Sequence, residues 1–179
     1  MGNRQSLREL QERLALRLSS AQSQAPSAAW LAVQAGEQNF LLPLVQAGEI
    51  FSLTSIHPVP YTQAWYLGVV NLRSALYGVV DLTGLCARAQ PPAAPGVAGR
   101  LTSESRLVGL HPALGVNAVL WVDRLLGLRN PASFSGLGQL AAAAPPYGAR
   151  CLVDHQGLSW LELDLQVLAA DPAFLAIAA

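Results

Sequence analysis

The 179 residues carry 11 basic and 11 acidic side chains, no formal net charge, and 52% hydrophobic against 12% charged residues. So sparse and balanced a charge leaves no electrostatic footprint for nucleic acid or an anionic membrane. Every basic residue is arginine and the two cysteines, Cys86 and Cys151, lie far apart, which excludes lysine Schiff-base or P-loop chemistry, a disulfide framework and a CxxC zinc site.

The first segment reads as a short amphipathic helix. Ser6 and Glu9 form a capping box, and Leu7, Leu10, Leu14 and Leu18 share one face. Arg8, Glu9, Glu12, Arg13 and Arg17 interrupt its leucines, so it is neither a signal peptide nor a membrane span, and the expected location is cytoplasmic. The helix suits packing on its own domain or docking to a partner equally well. Ser19 to Ser27 is a polar linker, closing an N-terminal unit at residue 27.

From Ala28 the period is that of strands. Ala29 to Ala35 ends at the turn signal Gly36-Glu37. Phe40 to Leu44 follows, with Pro43 pointing to an edge or a bulge. Val45 to Leu53 is mixed, and Ile56 to Pro60 is extended by its prolines. Leu67 to Leu82 (LGVVNLRSALYGVVDL) is the strongest β signal, a hairpin with Arg73 near its tip. Asp81 can cap a short helix over Leu82 to Ala87.

Gln90 to Gly99 is a Pro/Gly/Ala linker and the expected internal boundary. Strand signals resume at Arg106 to Leu110 and over Gly115 to Leu128, broken at Asp123-Arg124. Asn130 to Gly148 reads as a loop. Arg150 to Asp154 and Leu158 to Leu163 form a last hairpin across His155-Gln156-Gly157, and Asp164 caps a helix from Leu165 to Ala170. Asp81-Leu82 and Asp164-Leu165 each close a strand before a short helix, an echo that suggests two similar β units.

Little in the chain selects a catalytic centre. His57, His111 and His155 have no metal-ligand spacing, and the glycines form no phosphate-binding pattern. Asp81, Asp123, Asp154, Glu162 and Asp164 are scattered and read as caps and turn residues. Trp30, Trp65, Trp121 and Trp160 read as core, with Trp65 also a candidate interface anchor. Apolar β surface with few charges points to protein binding. A β-barrel holding a small apolar ligand and a hydrolase using Cys86 or Cys151 are the alternatives.

The run Gly68, Val69, Val70, Asn71, Leu72, Arg73, then Val80, Asp81, Leu82, resembles the signature of the CheW family of chemosensory coupling proteins. Glu49, Ile50, Ile56, Pro58, Val59 and Pro60 are similar to that family's upstream segment, and Val122, Asp123 and Arg124 to its second-half strand. Asp164-Leu165 fits its close, so the resemblance runs from Ala28 to Ala170. Ser74, where the family has glycine, Tyr77-Gly78, Ala47 and Gly48 depart from it.

The resemblance implies a mostly β fold: two SH3-like five-stranded barrels over 28–90 and 100–165, short helices after the closing strands, and a tail over 171–179. It implies a non-enzymatic adaptor, without cofactor or metal, that couples the cytoplasmic tip of a methyl-accepting chemoreceptor to a CheA-type histidine kinase. The protein would be recruited to membrane-associated receptor arrays without entering the membrane or binding nucleic acid. The N-terminal leucine helix and alanine-rich tail look more like the type IV pilus, twitching-motility branch (PilI-like). By motif position, Arg73 would face the receptor, and Leu44, Glu49 and Ile50 the kinase.

Overall fold

The computed structural model describes residues 28–87, 100–142 and 144–179. The expected N-terminal helix and the 90–99 linker lie outside the described residues. The described chain runs β1 (Trp30–Ala35), β2 (Gln38–Pro43), β3 (Ala47–Ser52), β4 (Tyr66–Leu72), β5 (Ala75–Asp81), α1 (Leu82–Cys86), β6 (Arg106–Leu110), β7 (Ala118–Val122) and β8 (Arg124–Arg129). It continues with β9 (Phe134–Gly138), β10 (Gly148–Asp154), β11 (Ser159–Leu163), α2 (Leu165–Ala170) and α3 (Pro172–Leu175).

These strands form a six-stranded sheet, β8-β1-β2-β11-β10-β9, and a five-stranded sheet, β3-β6-β7-β5-β4. The β2–β11 and β5–β7 contacts are parallel and the others antiparallel. Each sheet takes strands from both sides of the 90–99 linker, so the halves do not divide at 28–90 and 100–165, and one sheet has six strands rather than five. Alternation in a sequence marks which face of a strand is buried, not which strand lies beside it.

Three apolar clusters follow from that alternation. Val70, Leu72, Val79, Leu107, Val119 and Trp121 fill the concave side of the five-stranded sheet. Trp30, Ala32, Leu41, Leu152 and Trp160 do the same in the six-stranded sheet. The largest cluster takes residues from both sheets, including Val33, Phe40, Leu42, Val80, Val108 and Leu120. Neighbours on one strand can therefore serve different cores: Val79 lies in the small cluster and Val80 in the shared one. The Phe51–Tyr77 ring contact, at 6.3 Å, brings edge strand β3 near β5 and curls the five-stranded sheet.

The two Asp-Leu steps are N-caps. Asp81 accepts from the Thr83 amide, and Asp164 from the Gln166 and Val167 amides. Two readings are corrected. Pro43 ends β2, which lies between β1 and β11 in the sheet interior, because a strand's last residue can forgo its donor. Residues 130–148, read as a loop, contain β9, which the packing of Phe134 against Trp30 and Trp160 holds on β10.

Candidate partner-binding surface

The β4–β5 hairpin closes through Arg73 and Ser74, with Leu72 paired to Ala75. Both turn residues are left-handed, at φ +48° and +67°. A two-residue turn of this kind suits the twist of a hairpin and normally carries asparagine or glycine. Serine at the second position stores strain, so Ser74→Gly should raise stability by about 1 kcal/mol. Urea unfolding measures it, and an unchanged or lowered midpoint would contradict the strain.

The tight turn throws the Arg73 side chain outward, where it is 76% exposed. It does not stand alone, because its guanidinium is ion-paired with Glu49 of β3. The family resemblance implies different partners for these two residues, and the fold joins them. Exposed pairs contribute about 0–1 kcal/mol, so this one can be surrendered to a partner at little cost to folding.

Among the described residues β3 is an edge strand, paired only with β6. Its register slips between Ala47 and Ile50, where Gly48 lies so close to β6 that a Cβ would stand 2.9 Å from the Leu110 carbonyl oxygen. Glycine at this departure from the family pattern is therefore a packing requirement, and the slip presents Glu49 outward. Ile50, across from Val108, is 40% exposed. Leu44 differs: it follows β2 of the other sheet and packs partly buried against the shared core. Arg73, Glu49 and Ile50 lie on the five-stranded sheet, and Leu44 outside it. Beside Leu44 and the hairpin tip two further aliphatics are exposed, Val45 and, on β5, Leu76. The alternation of β5, with Tyr77 and Val79 inward, already placed Leu76 outward.

The remaining candidates take structural places. Trp65, considered as an interface anchor, is buried and stacked on Phe174 at 5.8 Å. Burial pushes the Cys86 thiol up to about 12, opposite to what a nucleophile needs. His111 Nδ1 accepts from the Ala113 amide at 3.2 Å, and the His155 ring contacts the Ala132 carbonyl. Among the described residues no group of His, Cys, Asp and Glu could hold a metal ion, and no helix is long and apolar enough to cross a membrane. Two clefts, of about 170 and 290 Å³, lie at or below the lower end of the roughly 300–1,000 Å³ usual for small-molecule sites.

One buried constellation was not foreseen. Arg100 spans Asp81 and Asp123: Nη1 donates to both Asp81 oxygens at 3.1–3.2 Å, and Nη2 to Asp123 at 3.1 Å and to Thr83 Oγ1 at 2.5 Å. The guanidinium also lies 4.6 Å from the centre of the Trp121 ring. Asp123 Oδ2 accepts from the Gly36 amide at 2.6 Å, which ties the β1–β2 turn to the same point.

A family model described as "CheW-like domain" matches residues 29–173. The chain is 28% identical over 169 residues to "Protein PilI" of Pseudomonas aeruginosa, covering 93% of this chain and 89% of that protein. It is 35% identical over 81 residues to "Chemotaxis protein CheW" of Rhizobium meliloti, 45% of this chain and 52%, about half, of that protein's length. The crystal structure of the scaffolding protein TtCheW from Thermoanaerobacter tengcongensis superposes with a TM-score of 0.59 at 17% identity, over 76% of this chain and 88% of that one. At that identity the likeness shows the fold alone.

Proposed function

Since this chain belongs to the CheW-like domain family, we propose that it is a non-enzymatic cytoplasmic adaptor that couples a chemoreceptor tip to a CheA-type histidine kinase. Within that role we assign it to a pathway controlling type IV pilus twitching motility. The observation that carries this reading is the similarity to "Protein PilI" over 93% of this chain and 89% of that protein. Its support in the fold is an exposed surface on one small barrel, the Arg73–Glu49 pair beside Ile50, that does little for folding and is free to be bound.

Arg73 is the receptor contact in this reading, because its planar fork holds a carboxylate or paired carbonyls in two bonds. Arg73→Glu, which loses the exposed pair with Glu49 and sets two carboxylates side by side, should lower stability by no more than about 1 kcal/mol. It should abolish recruitment to receptor arrays while leaving capture of the isolated kinase intact. Exchanging the charges, Arg73→Glu with Glu49→Arg, restores the pair but not the donor at position 73, so recruitment should stay lost. Normal localisation of either variant would remove Arg73 from the site.

Ile50, with Glu49 and the flank of Leu44, is assigned to the kinase. Ile50→Arg should weaken kinase capture in a pull-down and leave the melting temperature nearly unchanged. A fall of many degrees would make Ile50 a core residue and refute the assignment.

A further inference from the structure

The chain passes from the six-stranded to the five-stranded sheet between β2 and β3, over residues 44–46. Gln46 ends that passage, and each of its polar groups is engaged. Its amide donates to Pro43 O at 2.9 Å and closes a turn. Its carbonyl accepts from the His111 amide at 2.9 Å, one residue beyond β6. Its side chain reaches the head of α2, where Oε1 accepts from the Leu165 amide at 2.8 Å and Nε2 donates to Asp164 Oδ1 at 3.3 Å. The Leu165 amide is one of the first-turn donors that a helix cannot satisfy for itself. Asp164 caps the amides of Gln166 and Val167, and Gln46 takes the one that is left.

The strand that begins at the next residue depends on a fixed point. β6 holds β3 along one side, and the pairing slips between Ala47, opposite Leu110, and Ile50, opposite Val108. Such a slip re-aims the side chains around it. A strand with an irregular ladder has a second register close at hand, and a shift of one residue sends its side chains to the opposite face. Past Ser52 the chain leaves the ladder. At the other end Ala47 is buried in the shared core, and Gln46 fastens the backbone to both β6 and α2.

We infer that Gln46 is the positioning residue of the surface assigned to the kinase: by tying the start of β3 to the head of α2, it holds the slipped register that sets Glu49 and Ile50 outward. It acts through β3 rather than by contact with the partner. Its consequence for binding rests on the proposed kinase face, whereas its hold on β3 does not.

Two full-length variants test this. Gln46→Met keeps the length of the side chain and removes both polar groups. Gln46→Asn keeps the groups and falls one carbon short of α2. In isotope-labelled protein that melts cooperatively, each should move the amide resonances of Glu49 and Ile50 and leave those of Val79 and Leu152 in place. Each should weaken capture of the kinase about fivefold, the net worth of one hydrogen bond. Recruitment to receptor arrays, which depends on Arg73, should persist. Unmoved Glu49 and Ile50 resonances overturn the inference, whatever the binding. Shifts spread equally over Val79 and Leu152 overturn it too, because they mark a general loss of packing. Undiminished capture overturns it wherever Ile50→Arg does weaken capture. If Ile50→Arg leaves capture intact, the kinase assignment is what fails, and the resonances alone decide the role of Gln46.

Discussion

Arg100→Met should lower stability by about 3–5 kcal/mol, the usual consequence of leaving buried carboxylates without their cation. Arg100 and Asp81 are each at least nine-tenths buried, and a single guanidinium serves Asp81, Asp123, Thr83 and the Trp121 face. Methionine restores much of the volume but none of the charge. The effect carries a pH signature. Burial raises the Asp81 carboxyl above its usual range, and the Arg100 charge opposes that rise. Without Arg100 the carboxyl rises further. A carboxyl whose folded-state value exceeds its unfolded one gains stability as pH falls through the folded value toward the ordinary 3.8. The defect of Arg100→Met should therefore be largest near neutrality and shrink on acidification. Adding Asp81→Asn, which can still cap α1, should recover part of the loss at neutral pH. Urea unfolding near pH 7 and near pH 5 decides it. A loss under about 1 kcal/mol would mean the network is dispensable. An equal loss at both pH values would mean that Asp81 does not carry the effect.

Gly68→Ala should cost about 2–4 kcal/mol, combining backbone strain with a steric conflict that only main-chain movement can relieve. Gly68 has φ +128°, and an added Cβ would stand 2.1 Å from the His57 carbonyl oxygen. Two backbone hydrogen bonds at 2.8 Å, between His57 and Val69, lock that approach. The register of β4 on β5 also slips between Tyr66 and Gly68. An alanine must break the His57–Val69 pairing or distort the hairpin that carries Arg73. The same variant should therefore also weaken receptor recruitment under the proposed function. Thermal melting measures the first effect. A loss within about 0.5 kcal/mol would show that the 57–58 segment moves aside freely.

Gly68 heads the motif on which the family resemblance rests, and the structure supplies its physical reason: no other residue fits beneath His57. Asp81 and Asp123, from two separate motifs, acquire theirs together in Arg100. The resemblance aligned these positions and could not say that one arginine, outside every quoted motif, holds both. Gly48 read only as a departure, until the closeness of β3 to β6 showed that a side chain has no room there; Ala47 beside it is buried in the shared core. The Arg73–Glu49 pair was hidden for the same reason: its members lie 24 positions apart, and nothing local to either predicts the other.

What the sequence determined by itself is the set of features whose causes lie within a few residues. These are the β4–β5 hairpin with Arg73 at its tip, the caps at Asp81 and Asp164, the break at Asp123, and the predominance of strands, because alternation, turn geometry and capping act over one to four positions. Only the tertiary structure decided which strands became neighbours, that both sheets would draw on both halves of the chain, that Arg100 would be buried between two carboxylates, and that the tail would lie along residues 61–63. Those outcomes depend on pairings between residues up to more than a hundred positions apart. A strand's pattern fixes its buried face but leaves its edge equally able to accept any partner, and the choice is made by the fit of the shared core.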